Sequence, residues 1–367
     1  MGARCVAQRP PPELMAVPSA RSPASPPVAT QPPRSTVHVS APGASAAGRG
    51  GARITRRRLS EIGLGYTLLA PAVVLLLTFE VFPIVYGAYI SACDWRLQCT
   101  QFVGLDNYTR ALTDSAMWHA LLVTATYALI SVPLQLGLGL WIAYLLYQKV
   151  RGQEMFRMLF FLPYITSTVA SAAVWSYLYS PDKGILNSAL RLIGLPAQQW
   201  LTEPRGVFLL AAQSLLGVSV PLWLQGPSLA LVSLIAFTTW VFVGYDIAIF
   251  LAGLGNVPTE LYDAAKVDGA SGWTLFRNIT FPLLSPTTFF LLIFTVIGTF
   301  KAFNHVWVMT EGGPGDATTT ASVLIFQQLY QNNRYGYSAA LAFILFAVIL
   351  LLTVVQNRLA GRRVVYD

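Results

Sequence analysis

The chain has 367 residues, of which 54% are hydrophobic and 11% charged, with a formal net charge of +8. A soluble domain is about a quarter charged, so the apolar surface here exceeds what one core hides, and a protein dispersed in water is excluded. The positive charge lies in the N-terminal tail and in short loops between apolar runs, with no basic helix interleaved with aromatics, which argues against nucleic-acid binding.

Residues 1–58 are rich in Pro, Ala, Ser and Arg and lack apolar periodicity. Such a segment cannot offset its ordering entropy and is predicted to be a disordered tail. It has no signal-peptide core, and Arg56-Arg57-Arg58 ahead of the first apolar run holds it in the cytoplasm. A start codon further downstream than Met1 is compatible with this pattern.

Apolar segments follow at 62–92, 119–147, 158–179, 229–254, 283–310 and 335–356. Each reaches the ~20 residues needed to cross a bilayer, which predicts an all-α integral membrane protein with six transmembrane helices. Crossings alternate, so loops 148–157 and 255–282 and the tail from Asn357 are expected in the cytoplasm, with both termini. Those segments, with Lys149, Arg151, Arg358 and the Arg56–Arg58 cluster among them, carry more basic residues than the outer loops with Arg96, Arg110, Lys183 and Arg334. The stretch 207–254 is long enough for two spans, but a second crossing would reverse everything after it. One crossing is therefore assigned at 229–254, and 207–228 is an extra apolar segment on the outer side, interfacial or re-entrant.

Cys93 and Cys99 could pair if their loop faces an oxidising compartment, but free thiols are expected. His38, His119 and His305 are too far apart in sequence to suggest a metal cluster.

Polar groups inside spans are costly and usually have a reason. Glu80 and His305 fall near outer ends, where snorkelling is easy and a structural role is expected. Asp246 and Lys301 lie deeper and have opposite signs; they form either a buried pair between the fourth and fifth spans or polar walls of a solute path. Sugars are held by planar hydrogen-bonding groups and aromatic faces, which Trp240, Tyr245, Asn304 and Trp307 could supply. Thr295, Thr299 and Ala302 share a face of the fifth span, although threonines there also serve ordinary helix packing.

In the loop 255–282, Pro258-Thr259 reads as a helix start, with Glu260 and Asp263 complementing the dipole. Leu261, Ala264 and Ala265 share one face; Asp263 and Lys266 lie on another. Gly269 ends this helix, and Ser271 can cap a second that ends at Pro282. A short helix-turn-helix with small alanines and an acidic edge suits transmission of force to a partner. A purely interfacial helix would be richer in Lys and Arg.

Asp263-Ala264-Ala265, Asp268-Gly269-Ala270, Phe276, Ile279 and Phe281-Pro282 resemble the "EAA" loop of binding-protein-dependent ABC importer permeases, with Asp263 in place of the usual glutamate. Pro71, Phe82-Pro83-Ile84, the run Phe102 to Tyr108, Phe160-Phe161-Leu162-Pro163-Tyr164 and Gly312-Gly313-Pro314-Gly315 are similar to the carbohydrate, maltose-permease-like branch. The apolar stretch before the fourth span is longer than that branch typically has. The resemblance implies an ABC type I importer fold, with 59–367 as the transmembrane permease domain. It also implies a coupling helix formed by Glu260, Tyr262, Asp263, Ala264, Ala265, Asp268, Gly269, Phe276 and Pro282. Sugar contacts are implied near Tyr245, Thr295, Thr299 and Ala302, with Asp246, Lys301 and Asn304 beside them. The implied partners are a second homologous permease, two ATP-binding subunits that use the ATP and Mg, and an extracytoplasmic solute-binding protein, in a bacterial inner membrane. Mono- and disaccharides, longer oligosaccharides and glycerol 3-phosphate all suit this branch.

No G-x-x-x-x-G-K-[ST] loop, G-x-S-x-G elbow or H-E-x-x-H pair occurs, so the chain is expected to bind no cofactor and to perform no catalysis. An ion-coupled secondary carrier using Glu80, Asp246 or His305 is the alternative, and the paired repeats common in such carriers are not visible.

Overall fold

In a computed structural model, residues 56–95, 98–148, 151–218, 220–221 and 224–361 are described. Most of the expected tail, residues 1–55, therefore lies outside them, as do Arg362 and Arg363. The chain divides into two compact units, Met1–Thr67 and Leu68–Asp367. The described part of the first is helical, and the Thr67 hydroxyl donates to the Gly63 carbonyl at 2.8 Å.

The elements run in chain order as helix α1 (Arg56–Leu76), a π-helical turn (Leu77–Val81), α2 (Phe82–Ser91), strands β1 (Cys93–Trp95) and β2 (Cys99–Phe102), and α3 (Asp106–Thr113). They continue with α4 (Ser115–Tyr147), α5 (Gln153–Ile165), α6 (Thr168–Leu178), α7 (Ile185–Leu192), α8 (Val207–Leu216), α9 (Leu229–Gly255) and α10 (Thr259–Val267). Then come α11 (Trp273–Leu275), a π-helical turn (Phe276–Thr280), α12 (Phe281–Leu283), α13 (Ser285–Phe300) and α14 (Asn304–Thr310). The last are α15 (Ala321–Phe326), a π-helical turn (Gln327–Gln331) and α16 (Tyr335–Leu359). Four helical stretches are long and apolar enough to cross a membrane: Gly63–Ser91, Ser115–Tyr147, Leu229–Gly255 and Tyr335–Leu359. Two bent pairs raise the number to six, α5 with α6 (97°) and Trp273–Leu283 with α13 (65°).

Helix α9 is the centre of the second unit. Phe237, Val241, Ile247, Phe250 and Leu254 are all buried. They pack against Val132, Leu136 and Leu146 of α4, Leu284 and Leu291 near the fifth span, and Tyr179 and Val306 nearer the start of α9. Small residues let the backbones close in, as is usual between membrane helices. A Cβ on Gly139 would lie 2.8 Å from the Cβ of Asp246, and one on Gly244 only 2.0 Å from the carbonyl oxygen of Phe160.

Neither the third nor the fifth expected span is one straight rod. Pro163 removes a backbone donor near the end of α5. Thr166 then adopts an extended conformation, and Ser167 caps α6 by accepting from the Ala170 amide. The expected span 283–310 breaks between α13 and α14 at Lys301–Phe303. An unwound stretch at membrane depth is tolerated only when its freed polar groups find partners. Here Thr320 donates to the Ala302 carbonyl at 3.1 Å and Ser322 to that of Phe300 at 3.3 Å.

After α2, β1 and β2 form an antiparallel hairpin with a bulge at Asp94/Trp95. Cys93 and Cys99 are joined by a disulfide across it, with Cα atoms 5.5 Å apart. This corrects the expectation of free thiols: the hairpin folds the chain back so that two cysteines six positions apart meet. The apolar segment 207–228 is an excursion closed at its base. Gly206 pairs with Ser228, and the Val207 amide donates to Pro227 at 3.0 Å. Within it α8 has 10 residues, too short to span.

Candidate functional site: an interior cavity and a loop surface

A cavity of about 300 Å³ lies among α4, the α5–α6 bend, α9, α13 and the Lys301–Phe303 break. Tyr245, Asp246, Thr295, Thr299, Lys301, Ala302 and Asn304 all line it. They converge because α9 brings Tyr245 and Asp246 to one wall, α13 presents Thr295 and Thr299 one turn apart, and the break turns Lys301, Ala302 and Asn304 off the helix. The Thr299 hydroxyl donates to the Thr295 carbonyl at 2.7 Å, while the Thr295 hydroxyl is buried and has no partner.

Asp246 and Lys301 do not form an ion pair. The carboxylate of Asp246, 0% exposed, accepts instead from the side-chain amide of Gln135 at 2.6 Å. Its other oxygen, Oδ1, has no partner. Lys301 is exposed at the end of α13. Of the two arrangements open from sequence, the cavity wall is the one present.

Gln135, Tyr164, Phe294, Tyr127 and Thr238 also line the cavity and were not anticipated as site residues. Tyr164 sits 5.0 Å from Tyr245 between ring centroids, and Tyr245 sits 5.2 Å from Phe294, a continuous aromatic wall. Gln135 offered a signal, an amide inside a long apolar helix; Tyr164 offered little beyond the adjacent Pro163. His305 does not snorkel. It is buried against the Tyr127 hydroxyl at 2.8 Å and Thr238 at 3.2 Å, and Tyr127 and Thr238 also contact each other. Trp240 and Trp307 lie elsewhere: Trp240 packs on Trp175 at 5.3 Å and Trp307 on Phe326 at 4.7 Å. Among the described residues, no group of three or more His, Cys, Asp or Glu could hold a metal ion.

The second region is the surface of 255–282. Helix α10 starts after Pro258 and buries no residue in this chain. Glu260, Asp263, Ala264, Asp268 and Gly269 are exposed; Tyr262, Ala265, Phe276 and Pro282 are half-buried. Asp263 pairs with Lys266 at 3.1 Å across a solvated face. Gly269 takes φ +81°, a left-handed conformation that ends the helix, and Ala270 then donates to Ala265 at 2.9 Å. The second helix is capped at Gly272 rather than by the Ser271 side chain, because Gly272, at φ +48°, makes the turn itself. The helix runs past Pro282 to Leu283.

Two contacts fix this hairpin of helices. The Tyr262 hydroxyl meets that of Thr280 at 3.1 Å, and burial holds the Tyr262 hydroxyl above the usual phenol range. Phe276 packs edge-on against Tyr144 at 4.9 Å and stacks on Trp273 at 5.2 Å, so it braces the hairpin on α4. Leu261, Val267 and Trp273 stay exposed, an apolar rim around the acidic groups.

Residues 135–365 match the family model described as the binding-protein-dependent transport system inner membrane component. A probable ABC transporter permease protein of Pyrococcus horikoshii is 33% identical over 79% of this chain and 92% of its own length. The trehalose/maltose transport system permease protein MalF of Thermococcus litoralis is 31% identical over 84% of this chain and 97% of its own. Among solved structures, a chain of a bacterial alginate ABC transporter, in complex with an alginate pentasaccharide-bound periplasmic protein, superposes with a TM-score of 0.70 at 21% identity. That match covers 84% of this chain and 98% of the other.

Proposed function

Since this chain belongs to the binding-protein-dependent family of ABC transporter inner-membrane permeases, we propose that it forms half of the path by which an ATP-driven importer brings a sugar or sugar-like solute into the cell. The chain is a multi-pass inner-membrane transport subunit with the type I importer fold. The ion-coupled carrier alternative falls with the family assignment. The observation that carries the solute path is a cavity in which one aromatic wall faces a set of hydroxyls, an amide and a carboxyl group. Polyhydroxyl solutes need both a stacking face and convergent donors and acceptors.

In this reading a second homologous permease completes the path, two separate ATP-binding subunits supply the work, and an extracytoplasmic binding protein delivers the solute. The chain itself binds no cofactor. The exposed acidic and apolar surface around α10 docks into an ATP-binding subunit. ATP-driven closure of those subunits draws the two docking helices together and tips the permeases between two packed states. The N- and C-termini lie in the cytoplasm, which puts the Cys93–Cys99 hairpin outside, where disulfides persist.

The test is reconstitution of the complete transporter in proteoliposomes with its binding protein. Sugar uptake that requires ATP and ignores the proton gradient is expected. Uptake that persists without ATP and collapses with the gradient would refute the proposal.

A further inference from the structure

Where the β1–β2 hairpin meets the start of α16 lies another cavity, of about 610 Å³, bordered by Asp94, Trp95, Arg110 and Arg334. Its floor is held firmly. The Asn107 side-chain amide donates to the carbonyls of Ser91 and Cys93 at 2.9 and 3.1 Å, and the Cys93–Cys99 disulfide closes the hairpin. Gly336 packs so tightly here that an added Cβ would stand 2.1 Å from the Cys93 carbonyl oxygen.

Two guanidinium groups converge on this floor. That of Arg110 lies over the Tyr337 ring, 4.9 Å from its centroid, and Arg334 is close enough for its charge to act on the same phenol. Neither has an acid to answer it: the ion pairs among the described residues are Arg205–Glu203 and Lys266–Asp263. Asp114, four positions after Arg110, is already engaged, accepting from the Tyr337 hydroxyl at 2.6 Å and from the Ala116 amide at 2.9 Å. Like charges gathered at one ring repel each other, a cost that a bound anion offsets. Forked donors without an acid of their own suit the carboxylates or phosphates of another molecule.

Asp94 borders the same cavity and decides between those ligands. A lipid phosphate or a free anion beside it meets a like charge, whereas a protein loop can offer carboxylates to the arginines and a donor to Asp94. Trp95, held edge-on against Tyr86 and Tyr89, adds the aromatic face enriched at protein interfaces.

We propose that this cavity receives a carboxylate-bearing loop of the extracytoplasmic solute-binding protein, with Arg110 and Arg334 as its paired anchors. This rests on the importer reading, which puts the hairpin outside, and goes beyond it by assigning the docking point.

The experiment measures affinity between the complete transporter in nanodiscs and the purified solute-binding protein that restores its uptake, at low and at raised salt. Affinity should fall as salt rises. Arg334→Gln should weaken binding about threefold, and Arg110→Gln with Arg334→Gln about tenfold and with a shallower salt dependence. Lys183→Gln with Arg191→Gln, which removes the same charge outside the cavity, should change it little. Unchanged affinity in the double arginine variant, or an equal loss in the lysine–arginine control, overturns the docking site and leaves the importer reading. So does a double arginine variant that loses bound anionic lipid, read by native mass spectrometry, but keeps its affinity. Should no solute-binding protein restore ATP-dependent uptake by the unmodified transporter, the importer reading fails and the docking site with it. Arg334 is exposed, so its single variant decides the matter if the double one fails to assemble.

Discussion

The hydroxyl of Thr320 donates to the carbonyl of Ala302 at 3.1 Å, joining the start of α15 to the unwound stretch between α13 and α14. Both residues are buried. Without that donor, the Ala302 carbonyl would lose the bond that stands in for a helical one. Leaving a buried carbonyl unsatisfied costs about 1–3 kcal/mol. Thr320→Val, similar in shape, is therefore expected to lower the unfolding temperature of the detergent-purified protein; an unchanged melting curve would show that the break does not depend on this bond.

The close approach of α5 and α9 makes a sharper prediction. A methyl group at Gly244 would sit 2.0 Å from the Phe160 carbonyl oxygen, and backbone cannot yield as a side-chain tip can. Gly244→Ala should cost about 1–3 kcal/mol or more, as overpacking does, and reduce the yield of monodisperse protein. Gly137→Ala in α4 is the control: its Cβ meets nothing within 4 Å, and removing a mid-helix glycine stabilises by about 0.5–1 kcal/mol.

At the loop 255–282, charge and anchoring separate into two variants. Asp263→Lys reverses an exposed charge without touching packing, and is expected to leave membrane insertion intact while uptake per ATP hydrolysed falls. Tyr262→Phe removes the bond to Thr280, worth about 0.5–1.5 kcal/mol, and should loosen α10, read as faster hydrogen exchange over 259–267. Normal uptake by Asp263→Lys would remove the docking role.

The excursion at 207–228 should respond to acid. Glu203 accepts from the Arg205 side chain at 2.8 and 2.7 Å and from its backbone amide at 3.1 Å. The hydrogen bond from the Arg205 guanidinium holds the Glu203 carboxyl below the usual carboxylate range. A lowered folded-state pKa gives a contribution present above the unfolded-state value and lost as pH falls through the folded one. Protection of the 207–213 amides, taken relative to their intrinsic exchange rate at each pH, should therefore fall on acidification through that range. Glu203→Gln should show the lower protection already at neutral pH and little further change; protection factors in the parent that do not change with pH would disprove the link.

The features legible in the sequence are those that lipid imposes. A helix in hydrocarbon must be apolar throughout, so α9 stood out as one crossing at 229–254 once the parity of the spans had excluded two. A polar residue inside such a run is conspicuous, which singled out Asp246, Lys301 and Asn304, whereas Tyr245, Thr295, Thr299 and Ala302 were gathered as contacts through the family resemblance. The breaks were not legible. Hydropathy does not change where a helix unwinds, and the partners that make unwinding tolerable come from afar: Thr320 serves a carbonyl 18 residues earlier. Gln135 was visible as an amide in an apolar run, but its facing Asp246 is a pairing of two helices that no local pattern records. Trp240 and Trp307 misled for the converse reason, since a tryptophan in a span packs against other rings as readily as against a solute.

The bends bordering the cavity alter what a change of access requires. α6 has 11 residues and α14 has 7, and each begins at a break beside the cavity lining. Swivelling such a half-helix about its break re-aims Thr168 of α6, or Asn304 and His305 of α14, without dragging a membrane-long rod through lipid. The chamber can thus change shape at its walls while α4 and α9, locked together at Gly139 and Asp246, stay put as its fixed frame.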